Sequence, residues 1–281
     1  MPGLYHSSHH ILLGQGFSLY GERRTMSEAI RIDSLSFSYP DGHSALENIS
    51  LMIARGETVG IIGPNGAGKS TLLLHLNGIL QSNGAVQICG MSAKGRNLKT
   101  IRNKVGLIFQ DPNDQLFSPT VFDDVAFGPM NMALTEDEVC QRVAKALGWV
   151  GMTGYESRSS HHLSRGEKKR IAIATVLSME SEILVLDEPT SDLDPQGKWS
   201  LIELLEKLPM TKVVTTHDLE VVRSLCRRTI VLDKGKVVAD GSTDSILSDI
   251  SLLEAHSLAP PRKAQGVESS SSRLMSSALT E

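Results

Sequence analysis

The sequence predicts an α/β fold: an N-terminal antiparallel β part, a mixed core sheet and a helical subdomain inserted between strands of that sheet. Three observations carry this reading. Short apolar runs at Thr58 to Ile62, Val105 to Phe109, Ile183 to Leu186 and Lys212 to Thr216 read as buried strands separated by helical stretches. The first of them enters a glycine-rich turn, Gly63 to Gly68, and then a helix over Lys69 to Leu76. Residues 111–166 change character: Asp111, Asp114, Asp123 and Asp124 punctuate short apolar groups, and Pro112 and Pro119 break them further.

Along the chain, residues 1–27 read as a disordered extension, 28–254 as one domain with its helical part at about 111–166, and 255–281 as a disordered tail. In the extension, His6, His9 and His10 fit a flexible polar tail more simply than a metal site. Ile30 to Phe37 alternates like a half-buried strand, the turn Tyr39-Pro40-Asp41-Gly42 ends it, and Ile49 to Ile53 is its expected antiparallel partner. After the first helix, Gly78 caps its C-terminus and Ala85 to Cys89 gives a short strand. Within the insertion a helix is expected near Glu136 to Leu147. The apolar residues of Gln115-Leu116-Phe117 and Phe127 to Met132 either fill its small core or face a partner. Ser164, with Glu167 three residues on, has the form of a capping box before a helix. Asp194-Pro195 opens a further helix to about Leu208, strands follow at Thr229 to Leu232 and Lys236 to Ala239, and Ser245 to Leu247 begins a terminal helix.

The chemistry is concentrated in Gly63-Pro64-Asn65-Gly66-Ala67-Gly68-Lys69-Ser70, which fits G-x-x-x-x-G-K-[ST] in the strand-to-helix context that pattern requires. Glycines let successive N–H groups turn into one concavity beside a positive helix end, where phosphate oxygens bind. Lys69 then reaches the β- and γ-phosphates and Ser70 offers its hydroxyl to Mg²⁺. A glycine-rich loop before an ordinary helix leaves the complete motif without a reason.

Other candidates stand at strand ends, where open α/β sheets place their ligand crevice. Gln110 ends one strand and can meet Mg²⁺ or an attacking water. Asp187-Glu188 ends another and suits a metal partner and a base that activates or orients water. His217 ends a third, within reach of a γ-phosphate. Tyr39 precedes the phosphate loop, where its ring can stack on adenine or pack on the sheet.

A net charge of −4 argues against a strongly basic nucleic-acid surface. The three cysteines, Cys89, Cys140 and Cys226, lack metal-site spacing and read as small core residues in a reducing compartment. No window approaches the roughly 18 consecutive apolar residues of a spanning helix, so a membrane role needs a partner.

Together these residues resemble the ATP-binding-cassette (ABC) ATPases over Ile30 to Leu253: the phosphate loop at Gly63 to Ser70, a glutamine loop at Gln110, a signature at Leu163 to Glu167, ILVLDEP at Ile183 to Pro189, SDLD at Ser191 to Asp194, and a switch histidine at His217. The resemblance implies the P-loop NTPase ABC-ATPase fold and a head-to-tail dimer, with ATP on one subunit covered by the signature helix of another. It implies that Tyr39, Gly63, Pro64, Asn65, Gly66, Ala67, Gly68, Lys69, Ser70 and Thr71 bind nucleotide, together with Ser164, Gly166 and Asp194 at the subunit interface. It implies further that Ser70, Gln110 and Asp187 serve Mg²⁺, that Glu188 is the general base, and that His217 and Gln110 complete the catalytic set. The signature departs from the family's Leu-Ser-Gly-Gly, because Arg165 fills the first glycine position. Its side chain either crowds the γ-phosphate or adds a charge-assisted contact.

Within the family, LHLNG at Leu74 to Gly78, the stretch Phe109 to Pro129 and the LSRGEKKR helix look like energy-coupling-factor ATPases, especially cobalt and nickel importers. That likeness implies a membrane coupling protein docked near Gln115 to Phe127, a substrate-specific membrane component, and a homodimer or heterodimer of ATPase subunits. The chain is then peripheral, on the cytoplasmic face of the cell's inner membrane. Alternatives are an importer of a vitamin such as biotin, a soluble cassette protein acting on nucleic acid, and a P-loop kinase. The last leaves Glu188, the signature and His217 without a shared purpose.

Overall fold

A computed structural model describes residues 27–258. The expectations for the N-terminal extension and most of the tail lie outside the described residues. Two long strands, β1 (Glu28–Ser38) and β2 (Ser44–Ala54), pair antiparallel, with Ile30 opposite Ile53 and Leu35 opposite Ile49. The alternation that marked them in sequence is their burial pattern: Ile30, Ile32 and Leu35 face inward while Arg31 and Asp33 face out. β3 (Thr58–Ile62) and α1 (Lys69–Leu76) occupy their expected positions around the phosphate loop. β4 (Val86–Ile88) and β5 (Met91–Ser92) then form a hairpin against β1.

The next segment, α2 (Leu98–Lys104), is a helix the sequence reading missed. It is short and polar, and buries only Ile101, so it carries no periodic stripe. β6 (Val105–Ile108) follows. In the insertion, α3 (Val121–Met130) also went unread, because Gly128 and Pro129 lie in its last turn. Thr120 caps it by accepting from Asp123 N. α4 (Glu136–Trp149) begins with a Thr135–Glu138 capping box, and α5 (Arg165–Leu177) with the expected Ser164–Glu167 box. β7 (Ile183–Asp187), α6 (Pro195–Lys207) and β8 (Thr211–Thr215) lie within a residue or two of their sequence positions. α7 (Leu219–Leu225), capped by the Asp218 carboxylate, was not anticipated. β9 (Arg228–Asp233), β10 (Lys236–Ser242), α8 (Thr243–Ser248) and α9 (Ile250–Ala255) complete the described chain.

The strands make two sheets. One is antiparallel, in the order β2-β1-β4-β5; the other runs β10-β9-β3-β8-β7-β6, with β10 antiparallel on its edge and the rest parallel. The second sheet separates two cores. In β7, Ile183 and Val185 point toward α1 and the antiparallel sheet, while Leu184 and Leu186 point toward the helices of the insertion and C-terminal half. Runs apolar on every residue are what a strand buried on both faces needs. Helix and sheet approach closely at Gly106: a Cβ there would lie 1.8 Å from Val176 Cγ1 of α5.

The cysteine reading needs one correction. Cys226 is buried, and burial pushes its thiol up to about 12, but Cys140 on α4 is exposed and Cys89 is half-buried. Cys140 lies on the solvent side of an amphipathic helix whose buried stripe is Val139, Val143, Ala146 and Leu147.

Candidate functional site

Because β3, β6, β7 and β8 are neighbouring parallel strands, their C-terminal ends bring residues distant in sequence to one edge of the sheet. A cavity of about 350 Å³ opens there, lined by Tyr39, the loop Asn65 to Gly68, Lys69, Ser70, Thr71, Gln110, Asp187, Glu188 and His217. Sequence reasoning did not anticipate His43 and Ala45, which also line it. Two motif residues stand behind the wall. Pro64 contributes a carbonyl, and Gly63 packs so tightly on β9 that a Cβ would lie 2.0 Å from Leu232 O.

Lys69 is buried, and its Nζ donates to Gly63 O at 2.8 Å and Pro64 O at 3.1 Å. Burial lowers its pKa, while the charges of Glu188 and Asp187 push it back up. Gly68, at φ +99°, is the N-cap of α1 and supplies no side-chain cap, so first-turn amides face the cavity without a side-chain acceptor. The loop and helix therefore fit a polyphosphate. Tyr39 is half-buried at the rim, with its hydroxyl 3.0 Å from Thr71 Oγ1 and its ring edge-on to Phe37.

Glu188 adopts φ +44°, a left-handed conformation uncommon for a residue with a side chain. Its amide donates to Thr215 O at 3.0 Å, and its own carbonyl accepts from Ser191 Oγ at 2.9 Å. The turn leaves Oε1 3.0 Å from His217 Nδ1, the imidazole donating because the carboxylate only accepts. Asp187 accepts from Thr215 Oγ1 at 2.6 Å. Ser70 hydroxyl, Gln110 amide oxygen and Asp187 carboxylate line the same cavity and offer an all-oxygen donor set, which suits a hard cation such as Mg²⁺.

Ser164, Gly166 and Asp194 are not brought to this cavity. They line a second one, of about 490 Å³, with Arg165, Asp192 and Gln196, and the two linings share no residue. Ser164 and Glu167 are committed to the capping box, with Tyr155 donating to the Glu167 carboxylate at 2.8 Å. Asp194 caps α6 through Gly197 N at 2.6 Å. The Arg165 guanidinium turns to Asp192, donating at 2.8 Å.

One residue that sequence reasoning missed lies between the two cavities. Lys169, 3% exposed, donates from Nζ to Gln110 O at 3.1 Å, Glu188 O at 3.2 Å and Ser191 Oγ at 3.1 Å. Burial, with the Arg165 charge second, lowers its pKa to about 8. Its signal was present: Lys169 stands four residues before buried Ile173 on α5, so it is a charge in the helix's buried stripe.

The apolar residues of the insertion divide between core and surface. Leu116 is core, whereas Phe117 is 64% and Phe127 54% exposed, their rings edge-on at 5.3 Å. They line a groove of about 350 Å³ with Ile79, Phe109, Gln115 and Met179.

A model of the ABC transporter family matches residues 46–191. Among curated proteins, the energy-coupling factor transporter ATP-binding protein EcfA of Methanothermobacter thermautotrophicus is 52% identical over 241 residues, 84% of this chain and 78% of that protein. Among solved structures, CbiO1 from Clostridium perfringens, described as part of the ABC transporter complex cbiONQ, is similar at 37% identity. The TM-score is 0.73 over 84% of this chain and 97% of that one. An ATP-binding cassette solved as a dimer in a post-hydrolysis state with ADP and Pi is 29% identical. Its TM-score is 0.68, covering 76% of this chain and 98% of that one.

Proposed function

The chain belongs to the ABC transporter family, and on that premise we propose that it is the ATP-hydrolysing subunit of an energy-coupling-factor importer that takes up cobalt or nickel ions. The observation that carries the ATPase reading is the convergence of Lys69, Gln110, Asp187, Glu188 and His217 on one cavity. Support for the importer class comes from the EcfA relative and the CbiO1 neighbour. The metal rests on the Leu74 to Gly78, Phe109 to Pro129 and signature stretches. A vitamin importer of the same group is the second reading, since an energy-coupling factor ATP-binding protein such as EcfA is not defined by one substrate.

In the proposed mechanism, the Gly63 to Gly68 amides and the first turn of α1 hold the phosphates of ATP. Lys69 leaves its carbonyl partners for the β- and γ-phosphates, and the Tyr39 ring, its hydroxyl held by Thr71, stacks on adenine. Ser70, Gln110 and Asp187 would hold Mg²⁺, which would supply charge neutralisation for the phosphates. Glu188 accepts the proton of a water whose oxygen attacks the γ-phosphorus. The bond from that phosphorus to the bridging oxygen breaks, leaving ADP and phosphate. His217 orients Glu188 and the γ-phosphate.

Ser164 and Gly166 of a second ATPase subunit, identical or not, complete the site, with Asp194 at the interface. The separation of the two cavities within one chain supports that arrangement. The ATPase domain is residues 28–254, its helical part 111–166, with extensions on either side. No described helix is long and apolar enough to cross a membrane. In this reading, which the EcfA relative and the CbiO1 neighbour support, the chain joins its membrane coupling protein and substrate-specific component as a peripheral subunit on the cytoplasmic face, through the Phe117 and Phe127 groove.

The deciding experiment assembles the chain with its membrane subunits and measures ATP hydrolysis and metal uptake, comparing cobalt with nickel. Hydrolysis coupled to uptake of either ion is expected. Transfer of phosphate to a small acceptor overturns the transporter reading, and coupled uptake of a vitamin alone replaces the metal. The Arg165 signature is expected to support hydrolysis as it stands; activity that appears only in Arg165→Gly counts against this.

A further inference from the structure

We infer that Lys169 is a positioning residue, whose ammonium ties the nucleotide-facing loops of its own subunit to the helix end that meets the partner's nucleotide. This inference rests on the ATPase reading above.

The argument starts from the helix. α5 runs unbroken from Arg165 to Leu177, and Lys169 follows Arg165 by one turn, so the two share a face. The N-terminal end of α5 carries Ser164 to Gly166, while the Lys169 ammonium reaches the loop after β6 and the loop after β7. An ammonium has three hydrogens, and the three acceptors lie within 3.2 Å. The Gln110 carbonyl has Lys169 as its only hydrogen-bond donor among the described residues. The Glu188 carbonyl, at the strained φ +44° position, also accepts from the Ser191 amide and hydroxyl.

A shift of α5 toward a partner's nucleotide is therefore carried to the backbone of Gln110 and Glu188. Those are the residues whose side chains face the subunit's own γ-phosphate. Lys169 lines neither cavity, so it acts through these backbones.

The test uses the full chain in its assembled membrane complex, with steady-state hydrolysis and the dissociation constant of a fluorescent ATP analogue measured together. Lys169→Met keeps the stem and removes the donors. It is expected to lower kcat about tenfold or more, while KM and the dissociation constant stay within about twofold. Ser191→Ala removes one acceptor of Lys169, together with the hydroxyl's own bond to the Glu188 carbonyl, and is expected to lower kcat severalfold with the same split. It decides the matter if Lys169→Met does not assemble. An unchanged kcat in either assembled variant overturns the inference, as does a loss of affinity equal to the loss of kcat. A wild-type complex that neither binds nor hydrolyses ATP overturns the functional reading itself, and this inference with it.

Discussion

Glu188 and His217, separated by 29 positions, meet across a 3.0 Å contact between Oε1 and Nδ1. The left-handed backbone at Glu188 aims its carboxylate along the cavity, where the exposed imidazole reaches it from the end of β8. Removing the carboxylate's basicity while keeping its shape separates binding from chemistry. Glu188→Gln is expected to bind ATP with near wild-type affinity and to lose about 10²-fold or more in hydrolysis, followed by phosphate release. Normal turnover in that variant removes Glu188 as the base.

Phe117 and Phe127 give the docking proposal its sharpest probe, since both are exposed and Leu116 beside them is core. Phe117→Asp and Phe127→Asp are expected to leave the thermal midpoint nearly unchanged and abolish co-purification with the membrane coupling protein. Intact assembly and uptake in both variants place the partner elsewhere.

Gly106 tests how α5 is seated on the sheet. A Cβ at 1.8 Å from Val176 Cγ1 forces β6 and α5 apart, and Gly106→Ala is expected to destabilise by about 1–3 kcal/mol in denaturant unfolding. Trimming the neighbour, as in Gly106→Ala with Val176→Ala, should recover part of the loss. No recovery would show that the contact is not the cause.

Thiol labelling separates the buried and exposed cysteines. Cys140 is expected to react with a maleimide in the folded protein, whereas Cys226, buried and pushed up to about 12, reacts only on unfolding. Rapid labelling of Cys226 without denaturant would show that α7 opens from β3.

His75 contributes an acid sensitivity. Its ring is fully buried in the last turn of α1, edge-on to Phe37, with Nδ1 2.8 Å from Thr71 O and Nε2 without a partner, and burial lowers its pKa below the ordinary 6.5. Below pH 6.5 the unfolded chain binds this proton more readily than the folded one, so stability falls as pH falls. The difference in thermal midpoint between pH 7.5 and 5.5 is expected to be larger for the wild type than for His75→Leu. Equal differences would show that His75 does not contribute.

The parallel strands were legible because a strand buried on both faces is predominantly apolar, as Val59 to Ile62 and Ile183 to Leu186 are. Capping residues marked α5 and α6, since unsatisfied first-turn amides require Ser164 and Asp194. The helices α2, α3 and α7 were illegible for the converse reason. Each is ten residues or fewer, and what holds it is packing on other elements rather than its own periodicity.

The sequence by itself determined the phosphate loop, the strands that carry it and the acid, glutamine and histidine residues at their ends, because local patterns are written in consecutive residues. Only the tertiary structure decided that Glu188 pairs with His217, that Arg165 turns to Asp192, and that Lys169 joins the loops after β6 and β7. Those relations depend on the order in which strands line up in the sheet and on which face α5 buries, and short-range pattern specifies neither.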